Sequence, residues 1–122
     1  MADLEDIVEA ICKGDFTTAQ KRLEITIRDI LNKHEYPGVK IEKVWIRPCN
    51  GEICIDVVFA PSFGRHASIP MYILVELCDT IWDISRALGL GITTSPFVRA
   101  EENNIIISIH FKLRICQFCG RI

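Results

Sequence analysis

The sequence predicts a single α+β domain over residues 1–122, with the element order α-α-β-β-α-β-β and a four-stranded, mostly antiparallel sheet covered by helices on one face. Three observations support this prediction. Apolar residues recur at helical spacing over residues 68–88, an Asn50-Gly51 turn separates two alternating runs, and a further alternating run follows the long helix. The length is enough for one core, so we expect one domain.

Residues 1–36 predict a helical hairpin. Apolar residues at steps of three and four define a short first helix that ends near Gly14 and a longer second helix. Asp15 or Thr17 is placed to cap the second helix. This helix is expected to stop before Tyr36-Pro37-Gly38, because proline restricts the residue that precedes it.

Residues 68–88 predict a long central helix. Ser68 is expected to cap its start, Pro70 suits its first turn, and Gly89 is expected to close it in a left-handed conformation. The apolar stripe is broad, so we expect the helix to be buried over much of its surface. The stripe consists of Met71, Leu74, Leu77, Cys78, Ile81, Trp82, Ile84 and Leu88.

Residues 39–60 predict the first β-hairpin, because Asn-Gly is the strongest two-residue turn signal. The turn fixes a register in which Cys49 lies opposite Glu52 and Trp45 lies opposite Asp56. The alternating apolar residues of the second strand then define the core face of the sheet. These residues are Ile53, Ile55, Val57 and Phe59.

Residues 91–116 predict the second β-hairpin, followed by a tail at residues 117–122. Pro96 interrupts the first strand of this hairpin, so we expect that strand at an edge of the sheet. Residues 101–104 are expected to form the turn. The strand that follows places isoleucine and phenylalanine on the core face at every second position.

Strand parity predicts that the other sheet face combines basic and aromatic side chains. Three interpretations fit this pattern: an interface with a second copy or a protein partner, a platform for single-stranded nucleic acid, or a plain solvated surface. The net charge of −2 and the lack of an RNP-type motif disfavour nucleic acid. The residues are Lys43, Trp45, Arg47, Phe97, Arg99, His110, Lys112 and Arg114.

The six cysteines leave several assignments open. Cys12 and Cys78 fall on predicted helices and suit small core positions. The sequence from Cys116 to Cys119 has C-x-x-C spacing, which is half of a zinc site, and Cys49 with Cys54 would have to supply the remaining ligands. A Cys49–Cys54 disulfide and free thiols are the alternatives, so no cofactor is expected apart from this possible zinc.

The loop before the central helix is a candidate anion site. Free N–H groups at a helix start favour anions, and Gly64, Arg65, His66 and Ser68 precede that start. A plain surface loop is the alternative. The loop lacks the nucleotide P-loop pattern, and the chain shows no recognised spacing of catalytic residues, so we expect no catalytic site.

Composition favours a soluble, cytoplasmic protein. No apolar run reaches the length of a membrane span, and the first residues are acidic, unlike a secretion signal. Abundant isoleucine with little glutamine fits either a heat-adapted source or an AT-rich genome. The function we expect is non-catalytic binding or scaffolding, as a homo-oligomer or in a partner complex. Single-stranded nucleic-acid binding and an anion-binding or enzymatic role for the loop are the alternatives.

Overall fold

A computed structural model describes residues 4–89 and 95–113, and within them it shows the predicted order of elements and the predicted α+β class. The strands form one antiparallel sheet in the order β1-β2-β4-β3. The helices are α1 (Leu4–Cys12), α2 (Phe16–Lys33) and α3 (Met71–Leu88), and the strands are β1 (Val39–Cys49), β2 (Glu52–Pro61), β3 (Phe97–Glu101) and β4 (Asn104–Phe111).

Strand β2 lies at the centre of the fold. Its alternate apolar residues are fully buried, and they pair with apolar residues of β1 on one side and of β4 on the other, so they form the floor of the core. The predicted core face and register of the first hairpin are confirmed. Asn50 and Gly51 have φ angles of 50° and 79°, as the tight Asn-Gly turn requires.

A bulge in β1 was not predicted. The register shifts between Ile41 and Lys43, so Glu42 is an extra residue in the strand. The bulge lets Ile41 pair with Phe59 on the core side while Lys43 stays on the opposite face. Without it, strict alternation would have placed Ile41 and Lys43 on the same side of the sheet.

The helices form a layer over one face of the sheet. Helix α2 packs on β1, α3 packs on β4, and α1 contacts both of the longer helices. The α2 residues that face the sheet are apolar and buried, whereas its outer side is charged. The predicted Asp15 cap is confirmed, because its carboxylate accepts a hydrogen bond of 3.2 Å from the Thr18 N–H.

The central helix ends at residue 88 as predicted, but its predicted start and the predicted conformation of Gly89 are wrong. Helix α3 begins at Met71 rather than Ser68, and no side chain caps it; the Pro70 carbonyl instead accepts from the N–H groups of Ile73 and Leu74. Gly89 is extended, with φ −74° and ψ 152°, rather than left-handed. Its extended backbone forms an isolated antiparallel bridge with Leu113, so the chain leaves the helix directly alongside the sheet.

The buried stripe of α3 is narrower than predicted. Leu77, Ile81, Ile84 and Leu88 are buried as expected, and Ile73, which was not assigned to the stripe, joins them. The prediction that the helix is buried over much of its surface is wrong at its N-terminal end, where Met71, Tyr72 and Val75 are exposed.

The second hairpin has the predicted edge strand, since β3 is the last strand of the sheet. It starts at Phe97, and the predicted start at residue 91 lies among residues 90–94, outside the described part of the chain. Strand β4 ends at Phe111, and the predicted continuation of this strand to residue 116 reaches beyond the described residues. Residues 114–122, which include the predicted tail, also lie outside the described residues.

We expect Ile27→Ala to lower the free energy of unfolding by about 2–5 kcal/mol, because Ile27 on α2 is fully buried and the change leaves a cavity. Ile25→Ala is the matched control, since Ile25 lies on the same helix and is 42% exposed; its effect should stay within about 1 kcal/mol. Urea unfolding followed by circular dichroism measures both. An equal loss of unfolding free energy in the two variants would contradict the assignment of Ile27 to the buried face of α2 and Ile25 to the exposed face.

Candidate functional site

The sheet surface opposite the helices, here called the open face, carries three rows of side chains that cross the strands. The register aligns Trp45, Asp56, Ser108 and Phe97 in the middle row, with the two aromatic residues on the edge strands. One neighbouring row is Lys43, Val58, Ile106 and Arg99, and the other is Arg47, Cys54 and His110.

Trp45 is held between two cations. The Lys43 ammonium and the Arg47 guanidinium each lie 3.9 Å from the centre of the indole ring. These residues precede and follow Trp45 by two positions on β1, so we infer that they cover opposite faces of the ring. Each contact stabilises the indole position by a cation–π interaction, of about 0.5–1 kcal/mol at an exposed site.

A hydrogen-bond network crosses the middle of the open face. Arg47 Nη1 donates to Asp56 Oδ2 at 2.8 Å, and Ser108 Oγ donates to Asp56 Oδ1 at 2.5 Å. Arg99 Nη1 in turn donates to Ser108 Oγ at 2.9 Å. Both carboxylate oxygens of Asp56 are therefore occupied, and the network links all four strands of the sheet.

The network keeps Asp56 ionised. Burial disfavours the charged carboxylate, but hydrogen bonds from Ser108 and Arg47 and the charges of Arg47 and Arg99 outweigh it. The pKa of the Asp56 carboxyl therefore lies below its ordinary value. Asp56 thus fixes Arg47, and Arg47 in turn lies against Trp45.

Cations and carboxylates are mixed on the open face among the described residues. Arg47 pairs with Asp56, Arg99 Nε lies 3.2 Å from Glu101, and His110 Nδ1 lies 3.5 Å from Glu52. By the register, five full cations and four carboxylates of the described residues lie on this face: Lys40, Lys43, Arg47, Arg99 and Lys112, with Glu42, Glu52, Asp56 and Glu101. The basic character suggested by the sequence is therefore largely neutralised.

Two aromatic side chains stand exposed at the sides of this face. Trp45 is 41% exposed on β1, and Phe97 is 52% exposed on β3. Three strand spacings separate them, or about 14 Å at the usual interval. Between them Ile106 and Ser108 are buried, so the exposed apolar area of this face lies on its two flanks.

The structure brings together most of the residues predicted for this face. Lys43, Trp45, Arg47, Phe97, Arg99 and His110 share it, and Lys112 follows β4 as an exposed residue. Arg114 lies outside the described residues. Asp56 and Ser108 were not predicted as site residues. Parity already placed both on this side of the sheet, but their mutual hydrogen bond depends on the pairing of β2 with β4, which the sequence does not specify.

Cys49 and Cys54 form a disulfide with Cα atoms 6.3 Å apart. The zinc hypothesis that used both sulfurs as ligands is therefore wrong in this state of the protein, because bonded sulfurs are not thiolates. Cys116 and Cys119 lie outside the described residues. Cys12 and Cys78 are half-buried and form no disulfide with each other. Burial, together with the Asp79 charge, raises the pKa of the Cys78 thiol.

The predicted anion loop does not meet the helix as expected. Residues 62–66 are exposed, and Gly64 has a φ angle of 73°. The Ala67 N–H donates to the Asn103 carbonyl at 2.8 Å, and the Ser68 carbonyl accepts from the Tyr36 hydroxyl. Because α3 starts three residues after Ser68, the loop of Gly64, Arg65 and His66 is separated from the free N–H groups of the helix.

Two surface clefts lie away from the open face. One cleft is formed where α1 meets α2 and has charged walls of both signs; it is lined by Asp6, Glu9, Ala10, Lys13, Asp15, Thr18 and Arg22. The other lies between the end of α2 and the start of β1; it is lined by Arg28, Leu31, Asn32, Tyr36, Pro37, Val39, Lys40 and Ile41. Within the described ranges, no three His, Cys, Asp or Glu side chains are grouped closely enough to hold a metal ion.

Comparison with protein-family models, with curated protein sequences and with solved structures finds no match. In the part of the chain that the structure describes, no helix has the length and apolar character needed to cross a bilayer.

We expect Asp56→Asn to lower the free energy of unfolding by about 1–2 kcal/mol at pH 7, because Arg47 and Ser108 lose a charged partner. The folded-state pKa of Asp56 is depressed, so this stabilisation is present above the ordinary carboxyl pKa of about 3.9 and is lost as the pH falls through the folded-state value. Urea unfolding at pH 7, 5, 4 and 3 should therefore show the gap between wild type and variant narrowing below about pH 4.

Asp83→Asn is the matched control. Asp83 pairs with Arg86 at 2.6 Å on the exposed side of α3, and such surface pairs contribute little stability. Its effect should stay within about 0.5 kcal/mol at pH 7. A gap for Asp56→Asn that is constant from pH 7 to pH 3 would contradict the role given to the carboxylate.

Proposed function

We propose that this protein is a non-catalytic binding or scaffolding protein that acts as a homo-oligomer, and that the open face is the interface between two copies. One observation carries the proposal: Trp45 and Phe97 are both about half exposed on a face whose cations and carboxylates are nearly balanced. A surface with exposed aromatic residues and little net charge is better suited to a protein interface than to water or to a polyanion.

The composition of the open face supports this proposal. Tryptophan, phenylalanine and arginine are enriched where proteins bind each other. Tryptophan and arginine are also enriched among the residues that dominate binding energy. Trp45, Phe97, Arg47 and Arg99 provide that set on one side of the sheet. Apolar area removed from water contributes roughly 25 cal/mol per Å², so covering the two rings favours association.

The charge pattern supports a second copy as the occupant. In a two-fold symmetric interface the same patch lies on both subunits, so the patch must complement itself. A face with nearly equal numbers of cations and carboxylates meets that condition, whereas a strongly charged partner would find no matching surface.

The network around Asp56 supports a binding surface whose side chains are ordered before the second copy binds. Arg47 is already held by Asp56 and by the Trp45 ring, and Arg99 is held by Ser108 and Glu101. Side chains that are ordered before binding lose less entropy on binding. The edge aromatic residues therefore need little rearrangement to meet a second copy.

Single-stranded nucleic acid is the second candidate. A base needs a free ring face to stack on and unpaired cations for its phosphates. Lys43 and Arg47 cover the Trp45 ring, and Arg47 and Arg99 already have carboxylate partners on the same face. Binding of nucleic acid would have to displace these contacts, which is why we place it second.

We also propose a cytoplasmic location and a heat-adapted source for this protein. Disulfides are rare in the cytosol of most organisms but are common inside hyperthermophiles. A Cys49–Cys54 disulfide in a cytoplasmic protein is therefore most consistent with such a source. An anion-binding role for Arg65 and His66 is not needed by this proposal.

We expect light scattering on a sizing column to give a mass of two 13.9 kDa chains, little changed between about 0.05 and 0.5 M salt, because apolar burial dominates. Trp45→Ser and Phe97→Ser should each raise the dissociation constant about tenfold or more. Phe63→Ser is the control, since Phe63 is 70% exposed but lies in the loop before α3.

A wild-type protein that stays monomeric at high concentration would contradict the proposal. So would an equal increase of the dissociation constant in Phe63→Ser and Trp45→Ser. A monomer that binds a short single-stranded oligonucleotide, with affinity falling steeply as salt rises, would support the second candidate instead.

A further inference from the structure

We propose that the outer edge of β3 pairs with β3 of another copy, in antiparallel orientation about a two-fold axis at Ala100. Two four-stranded sheets then join into one continuous sheet. This interface lies at the side of the sheet and is separate from the open face, so neither association requires the other. It involves few residues, so we expect it to form at higher protein concentrations than the open-face dimer.

The two edges of the sheet differ in how they are protected. In β1 a bulge interrupts the strand between Ile41 and Lys43, and Pro48 has no N–H group to offer a neighbouring strand. The edge strand β3 has neither a bulge nor a proline between Phe97 and Glu101, and no strand of the described residues pairs with its outer side. An edge of this kind is a template for another strand.

The backbone groups on the outer side of β3 belong to Val98 and Ala100. Glu101 pairs with Asn104 across a two-residue turn, and the residues beside such a turn exchange hydrogen bonds within the hairpin. Backbone groups alternate in direction along a strand, so those of Arg99 also face β4, whereas those of Val98 and Ala100 face outward. An Ala100 that lies opposite Ala100 of a second copy therefore exchanges two hydrogen bonds with it.

The side chains of β3 leave room for a further strand. Val98 lies opposite Ile107 and therefore on the helix side of the sheet, yet it is 42% exposed, so the helix layer does not cover β3 completely. Ala100 lies on the same side and is also exposed. Two small alanine side chains at the axis let the backbones approach to the usual strand spacing of about 4.8 Å.

The charges of β3 complement those of a second β3. With Ala100 on the axis, Arg99 of each copy lies directly opposite Glu101 of the other copy, at a position where paired Cα atoms are only about 4.5 Å apart. Within one chain Arg99 Nε lies 3.2 Å from Glu101, and Nη1 donates to Ser108. The guanidinium has a further nitrogen, Nη2, which can donate to the second carboxylate. Edge charges of a single sign would instead repel a second copy.

Cysteine substitutions test the pairing and its register. Ala100→Cys places two Cα atoms about 5.5 Å apart across the axis, which is within the range of a disulfide. Val98→Cys is the matched control on the same side of the strand, because its two copies lie about 13 Å apart along the strands. After mild oxidation of the full chain, we expect Ala100→Cys to form a covalent dimer about tenfold faster than Val98→Cys on a non-reducing gel. The wild-type chain shows the background from the native cysteines.

Mixing of charge variants provides a second readout. In an Ala100→Cys background, Arg99→Glu and Glu101→Arg should each crosslink severalfold more slowly alone, because like charges then face each other across the axis. A mixture of the two variants should crosslink severalfold faster than either one alone, because each negative side chain then faces a positive one. A merely structural role of Arg99 or Glu101 within one chain would not produce this rescue.

Equal crosslinking of Ala100→Cys and Val98→Cys would overturn the proposal, as would rates no higher than that of wild type at the highest soluble concentration. A mixture of charge variants that crosslinks no faster than each variant alone would also overturn it, and the edge would then be left to a partner of different sequence. A mass that doubles on the sizing column without these crosslinks would leave the open-face dimer intact, because Ala100 lies on the opposite side of the sheet.

Discussion

One-sided burial of the central strand is the constraint on which the rest of the structure depends. Ile53, Ile55, Val57 and Phe59 of β2 alternate along the strand, and all four are fully buried under the helices. Because side chains alternate between the two faces, the residues between them must face the other way. A shift of the strand register by one residue would exchange the two sets of side chains. The burial of apolar side chains in the core therefore also determines which side chains form the open face.

The open face has its own internal order, although no helix covers it in the described part of the chain. Asp56 organises the face: it binds Arg47 and Ser108 directly and reaches Arg99 through Ser108. This network orients the cations that flank Trp45 and joins the edge strands to the centre. The same register places Cys54 between Arg47 and His110. The aromatic flanks and the disulfide thus lie on one ordered surface.

The sequence predicted much of this arrangement, since alternation and an Asn-Gly turn are local signals. They specified the core face of β2, the register of the first hairpin and the side of the sheet on which Trp45 lies. The pairing of β2 with β4 is not local, so the contact of Asp56 with Ser108 could not be derived. The start of α3 and the conformation of Gly89 were wrong for a related reason. Ser68 suits a helix cap and Gly89 a left-handed one, but the Tyr36 hydroxyl and the bridge to Leu113 show that distant residues determine their surroundings.

The central claim is that a second copy covers the open face, and the accessibility of the Trp45 ring tests it most directly. In a Trp82→Phe variant Trp45 is the single tryptophan, so acrylamide quenching of fluorescence reports on that ring alone. The account predicts that quenching weakens as the protein is concentrated through the range in which its mass doubles. A mass that doubles while quenching stays constant would place the interface elsewhere and contradict the account.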